Sequence, residues 1–188
     1  MLQRRELVSS LMQYRNDALV VSSLGNPTYD LAAAGDTPAN FYLWGAMGGA
    51  SAVGLGLAIS KPERRVVVLI GDGEMMMALG SLATISALKP ENLALVLLDN
   101  QVFAETGAQT GLTAADIDLT AIASAAGFPS TMSIAAASEV DEFTQLVFSA
   151  SGPVFAKAEI ALSEDARVFP EWDGVLLANR TREHILSA

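Results

Sequence analysis

Two unbroken runs of apolar residues dominate the pattern of the chain. Val66 to Ile70 is five β-branched or leucine side chains in a row, and Leu93 to Leu98 is a second run without a polar interruption. Alternation would mark a strand with one wet face, whereas an unbroken run marks a strand buried on both faces of a parallel sheet. Turn chemistry follows each at once, Gly71-Asp72-Gly73 after the first and Asp99-Asn100 after the second. Between them Met75, Leu79, Leu82 and Ile85 recur at helical spacing until Lys89-Pro90, which predicts one helix. Downstream, Leu119, Ile122 and Ala126 mark a helix ending at Gly127, and Thr131 to Ile134 a strand. Val140, Phe143, Leu146 and Val147 mark another helix, and Pro153 to Ile160 the last strand. Upstream, Ala18 to Ser22 predicts a short buried strand running into Gly25-Asn26-Pro27. Strands and helices alternating at this spacing specify right-handed βαβ units. The expected fold is α/β, a doubly wound, mostly parallel sheet with helices on both faces.

The remaining segments are less regular. Leu2, Leu7, Leu11 and Met12 share one helical face, so residues 1–16 read as a docking helix. Gly35-Asp36-Thr37-Pro38 leads to Phe41-Tyr42-Leu43-Trp44, after which Gly48, Gly49, Ala50, Ser51, Ala52, Gly54, Gly56 and Ala58 form a small-residue segment. Such a segment packs its backbone close to a sheet, a ligand or another chain. Residues 161–188 read as a tail that wraps the surface or a neighbour, and the whole of 1–188 as one domain.

Composition narrows the function classes. At 188 residues the chain can bury about 70% of its extended surface around one core. With 51% hydrophobic and 17% charged residues it is apolar for a lone domain, which points to a face covered by a partner. Eleven Lys and Arg against 21 Asp and Glu give a net charge of -10, opposing nucleic acid and anionic membranes as partners. The lack of cysteine excludes disulfides, thiolate metal sites and a cysteine nucleophile. No apolar run is long enough to span a bilayer, and the first residues show no apolar stretch or cleavage site. The chain reads as soluble and cytoplasmic.

Ligands of an open parallel sheet sit beyond the carboxyl ends of the strands. That directs attention to the loops after Ile70, after Leu98 and before the small-residue segment. Gly71-Asp72-Gly73-Glu74 opens a helix, so its backbone N–H groups favour an anion. Two carboxylates occupy the same turn, and Met76 stands where a dinucleotide fingerprint has its third glycine, so direct dinucleotide binding is disfavoured. Mg2+ reconciles carboxylate with phosphate, since it accepts both together with amide and carbonyl oxygens. Asn100 offers the amide oxygen, and parallel neighbouring strands bring Asp72 and Asn100 together. Taken alone, Gly71-Asp72-Gly73 also reads as an ordinary strand-to-helix turn.

Gly71-Asp72-Gly73, 26 further residues and Asn100 together resemble the thiamine diphosphate motif. Phe41-Tyr42-Leu43-Trp44-Gly45-Ala46-Met47-Gly48 resembles the F-Y-x-x-G-S-M-G stretch of the sulfopyruvate and phosphonopyruvate decarboxylases. The segment Asp99 to Gln109 resembles their D-N-G-x-Y-x-S-T-G-x-Q, and the likeness runs from about Phe41 to Ile160. The resemblance implies a thiamine diphosphate-binding fold with Mg2+ held by the side chains of Asp72 and Asn100 and the carbonyl of Val102. It implies that Gly73 and Glu74 offer N–H groups to the diphosphate and that the Gly45 carbonyl accepts from the aminopyrimidine. Gly71 and Phe103 complete the cofactor-binding set. Met47 would be the wedge that bends the cofactor so that its 4′-imino group meets the thiazolium C2. Without the resemblance, Met47 reads as a flexible thioether filling a gap in the core. Two departures stand out: Gln101 replaces a glycine, and Glu105 replaces a serine. Glu105 is either a solvated loop charge or a general acid/base or cation anchor, and joins Met47 as a candidate catalytic residue. His184, the single histidine, reads as a surface residue.

The family's catalytic glutamate, which protonates the pyrimidine, belongs to a separate pyrimidine-binding domain, and a chain carrying both would be about twice this length. The resemblance therefore implies a β-type subunit in a hetero-oligomer, α2β2 or larger, whose α-type partner supplies that glutamate. The implied reaction is non-oxidative decarboxylation of a 2-oxo acid, sulfopyruvate or phosphonopyruvate-like, to CO2 and an aldehyde. The matched loops contain no Lys or Arg, so an arginine for a second anionic group would come from the partner, or the substrate lacks that group. A carboligase of acetolactate-synthase type and a non-catalytic regulatory subunit are the alternatives.

Overall fold

The two apolar runs lie side by side at the centre of a six-stranded, all-parallel sheet in a computed structural model that describes residues 1–187. In chain order the elements are α1 (Arg4–Gln13), β1 (Leu19–Ser22), α2 (Asn26–Ala33), β2 (Asn40–Tyr42), α3 (Gly49–Ser60) and β3 (Val66–Gly71). Then come α4 (Asp72–Met77), α5 (Leu79–Leu88), β4 (Leu93–Asp99), the short strands β5 (Val102–Phe103) and β6 (Gln109–Thr110), and α6 (Leu119–Ala126). The chain closes with β7 (Ser130–Ile134), α7 (Val140–Ser149), β8 (Val154–Glu159) and α8 (Gly174–Leu186). The strand order is β2-β1-β3-β4-β8-β7, with β5 and β6 forming a separate antiparallel hairpin.

Side chains of β3 divide between two cores as the period of two requires. Val67 and Leu69 join Leu7, Leu11, Leu31, Phe143 and Val147 on the face covered by α1, α2 and α7. Val66, Val68 and Ile70 join Ala50, Leu55, Leu82, Ile85 and Leu119 on the face covered by α3, α5 and α6. The small-residue segment packs on the sheet: a Cβ added to Gly54 would lie 2.2 Å from Val68 Cγ2. Here glycine serves close approach rather than an unusual turn.

Four elements differ from the sequence reading. The N-terminal helix docks on its own chain, with Leu7, Val8, Leu11 and Met12 buried, so its apolar face is consumed within the chain. The single helix expected after Gly73 is broken at Ala78, whose N–H is shared between the carbonyls of Glu74 and Met75. The loop after Asn100 contains the β5–β6 hairpin. The tail contains α8, which the pattern alone did not announce: Leu177 reaches one core and Ile185 the other, and Thr181 bonds the Asn40 carbonyl, so α8 wraps the β2 edge. Among the described residues no helix is long and apolar enough to cross a membrane.

Candidate functional site

From β1 the chain runs outward to β2 and returns to β3 on the other side of β1, so the direction of winding reverses there. A crevice outside the carboxyl ends is the consequence. Strand register completes the placement: Gly71 of β3 pairs with Leu98 of β4, which sets Asp72 and Asn100 on adjoining loops. Met47, Gly71, Asp72, Gly73, Glu74, Asn100, Val102, Phe103 and Glu105 all line one cleft of about 190 Å³. Gly45 does not line it, and its carbonyl accepts a hydrogen bond from Ser23 Oγ at 2.9 Å.

Asp72 is buried, and burial together with the nearby Asp99 carboxylate pushes its carboxyl up to about 6. Thr113 Oγ1 lies 3.2 Å from Asp72 Oδ2 and 2.9 Å from Asp99 Oδ1, bridging the pair. Lys157 Nζ stands 3.8 Å from Asp99 Oδ2, so one of the two carboxylates has a cation. Asp72 has none among the described residues. Asn100 Oδ1 accepts from the Val102 N–H at 3.1 Å, a turn that keeps the amide oxygen fixed with a lone pair to spare. Gln101, at φ 62, turns the chain there, and Gly111 closes over it, where a Cβ would lie 2.9 Å from the Gln101 carbonyl and 3.0 Å from Asp72 Oδ2.

The donors gathered here are a carboxylate, an amide oxygen and a backbone carbonyl. Hard oxygen ligands of this kind suit Mg2+, which completes its shell with phosphate and water. Among the described residues no cluster of three or more His, Cys, Asp or Glu side chains exists, so a site built wholly from protein carboxylates, imidazoles or thiolates is not available. A buried carboxylate without a counter-cation fits the ion.

Met47 is 41% exposed and faces the cleft, so it is not filling the core. Its loop is strained: Trp44 (φ 51) and Ala46 (φ 50) are left-handed without being glycine. Several contacts hold it in place. The Trp44 N–H bonds the Ser23 carbonyl, the Trp44 ring stacks on Trp172 at 4.0 Å, and Glu74 Oε1 accepts from the Gly48 N–H at 3.2 Å. Burial pushes the Glu74 carboxyl up to about 7, against the hydrogen bonds from Gly48, Ser23 and Ala50 that favour its charged form. The Glu74 side chain thus braces the Met47 loop. Glu105 meets Arg167 at 3.4 Å at the cleft, with both side chains in contact with solvent.

Sequence reasoning missed Leu24 to Pro27, Arg4 and Thr113. The switch in winding at β1 signals the first group, since the loop after that strand must face the crevice. Arg4 arrives from the N-terminus and Thr113 from beyond the hairpin, and no local pattern marks either.

Comparison with known proteins gives the family. The sequence profile described as thiamine pyrophosphate enzyme, C-terminal TPP binding domain, matches residues 25–158. The chain is 44% identical over 161 residues to the sulfopyruvate decarboxylase subunit beta of Methanothermobacter thermautotrophicus, covering 85% of this chain and 83% of that one. It is 39% identical over 150 residues to the phosphonopyruvate decarboxylase of Streptomyces viridochromogenes, covering 80% of this chain and 37% of that one. An X-ray structure of a candidate thiamin diphosphate-dependent enzyme from Mycobacterium smegmatis superposes with a TM-score of 0.73 at 20% identity, over 87% of this chain and 32% of that one. The chain thus spans most of the beta subunit and about a third of the two longer proteins. The buried carboxylate, the amide oxygen beside it and the matched profile lead to one conclusion: this chain belongs to the thiamine pyrophosphate enzyme family, as its C-terminal TPP-binding domain.

Proposed function

We propose that the chain is the diphosphate- and Mg2+-binding β-type subunit of a two-chain, cytoplasmic thiamine diphosphate-dependent decarboxylase. The substrate is a 2-oxo acid with a second anionic group, sulfopyruvate or phosphonopyruvate-like, and the products are CO2 and an aldehyde. One observation carries the reading: Asp72 is a buried carboxylate without a cation, beside the Asn100 amide at the end of the next strand. When bound, thiamine diphosphate supplies the electron sink for loss of CO2. The side chains of Asp72 and Asn100 and the Val102 carbonyl hold Mg2+, while the N–H groups of Gly73 and Glu74 face the diphosphate. Met47 supports the cofactor rings, and the Glu74 side chain keeps the Met47 loop in place.

Three observations support a partner. The cleft of about 190 Å³ is smaller than the roughly 300–1,000 Å³ of complete small-molecule sites. Met47, Met77, Phe103 and Leu112 are exposed around the hairpin and the Met47 loop. The relative that this chain nearly spans is named a subunit beta. The partner is an α-type, pyrimidine-binding chain that supplies the catalytic glutamate, in an α2β2 or larger assembly. Calorimetry on the two-chain assembly tests the reading: thiamine diphosphate is taken up only with Mg2+ present, and no uptake refutes it. CO2 release from a panel of 2-oxo acids tests the substrate class, and activity confined to pyruvate or aromatic acids rejects the doubly anionic one.

A further inference from the structure

The cleft has an acidic side at Asp72 and a cationic end at Arg4. Arg4 is brought there by the N-terminal segment, which forms a parallel bridge between Leu2 and Ile160 just past the carboxyl end of β8. The Leu2 N–H bonds the Glu159 carbonyl at 3.1 Å, and the Ala161 N–H bonds the Leu2 carbonyl at 2.8 Å. Arg4 lines the cleft together with Ile160 yet is 1% exposed. Its Nε donates to Asp30, and its Nη2 lies 3.4 Å from Asp165 Oδ2. Nη1 is buried and has no acceptor among the described residues.

A guanidinium N–H left unpaired away from water is costly, and a charged group raises that cost. Arg64 and Arg180 also carry an unpaired nitrogen each, but neither lines the cleft. Around Arg4 the charges balance, since Arg4 and Arg5 face Asp30 and Asp165. Among the described residues one donor is therefore unpaired in a neutral cluster at the cleft, while Arg167 nearby is matched by Glu105. Guanidinium nitrogens in such a setting select acceptor-only, anionic oxygens.

We propose that Arg4 Nη1 is an anion-recognition donor of this cleft, serving a tetrahedral oxyanion of phosphate, phosphonate or sulfonate type. Two sources carry that chemistry if the cleft works as proposed above: the terminal phosphate of the coenzyme and the second anionic group of the substrate. The chain then carries near its own N-terminus an arginine for which the sequence reading left only the partner, or a substrate without the second anionic group.

The first test does not depend on the coenzyme. Inorganic phosphate, titrated into the full chain at constant ionic strength, shifts the Arg4 side-chain NMR resonances. Arg4→Lys, which keeps the charge toward Asp30 but removes Nη1, weakens phosphate binding about tenfold or more. Unchanged affinity in a folded Arg4→Lys variant, or a wild-type Arg4 signal that ignores phosphate, overturns the proposal. Should the variant not fold, the wild-type signal decides alone. In the two-chain assembly, a weaker coenzyme affinity in Arg4→Lys assigns the oxyanion to the coenzyme. A KM raised for sulfopyruvate but not for pyruvate assigns it to the substrate, and the absence of both changes overturns the proposal. Coenzyme uptake absent from wild type as well refutes the thiamine reading while leaving the phosphate result standing.

Discussion

Replacing Asp72 by asparagine separates what the site costs the fold from what the site is for. The carboxyl rises from 3.8 to about 6 on folding, because burial and Asp99 both disfavour its charge. The folded chain therefore binds more protons than the unfolded chain between those values, and stability falls as pH rises through that window. A shift of this size corresponds to about 3 kcal/mol lost at neutral pH. Asparagine keeps the shape and the acceptor facing Thr113 but removes the charge. It also forfeits a carboxylate in the first turn of α4, a favourable helix-end interaction of roughly 0.3–1 kcal/mol. The expected net gain is roughly 1–3 kcal/mol, or a thermal midpoint about 3–10 °C higher for a domain of this size, measured at neutral pH with a chelator present. Mg2+-dependent coenzyme uptake is lost in the same variant. A lower midpoint would refute the electrostatic reasoning, and retained uptake would refute the assignment of Asp72 as a ligand.

Three further outcomes are expected. Within α3, Gly54→Ala forces a methyl against Val68 and lowers the urea midpoint by the equivalent of roughly 1–3 kcal/mol, whereas Gly56→Ala, in open space two residues on, raises it by roughly 0.5–1 kcal/mol. Met47→Ala leaves the stability of the chain, read from thermal melts, within about 1 kcal/mol of wild type, because the side chain faces the cleft rather than the core, and calorimetry on the assembly shows weaker coenzyme binding. Burial and the adjacent Arg64 and Arg15 hold His184 below its ordinary range, so its own contribution to stability falls as pH drops below about 6.5, where the unfolded chain takes up the proton first, opposing the gain from Asp72 and Glu74. His184→Gln removes that one contribution, so the variant gains on the wild type as pH falls in a paired series of thermal melts.

Much of this molecule is legible along the chain because the relevant contacts follow from strand adjacency. Val66 to Ile70 and Leu93 to Leu98 could only be central parallel strands, and their pairing brings Asp72 to Asn100 without further information. Local chemistry marked Gly71 to Glu74, whereas Met47 stood out only through the family resemblance. What escaped depends on contacts between remote segments. Arg4 reaches the cleft through one bridge to Ile160, more than 150 residues away in sequence. The break at Ala78 falls on neither proline nor glycine, Gly80 lying two residues on within the first turn of α5, and it arises where α4 aims at the cleft while α5 lies on the sheet. In the tail, α8 is specified by the β2 edge it covers, and that edge cannot be read from residues 174–186 themselves.

Trp44 and Trp172 are the two tryptophans of the sequence, and their rings lie parallel at 4.0 Å, three residues along the backbone from Met47. All indole fluorescence of the subunit therefore originates from one coupled pair, joining the strained loop to the segment that leads into α8. The protein carries its own optical gauge: any event that lifts that segment from the loop separates the two emitters, and the change can be read without a label.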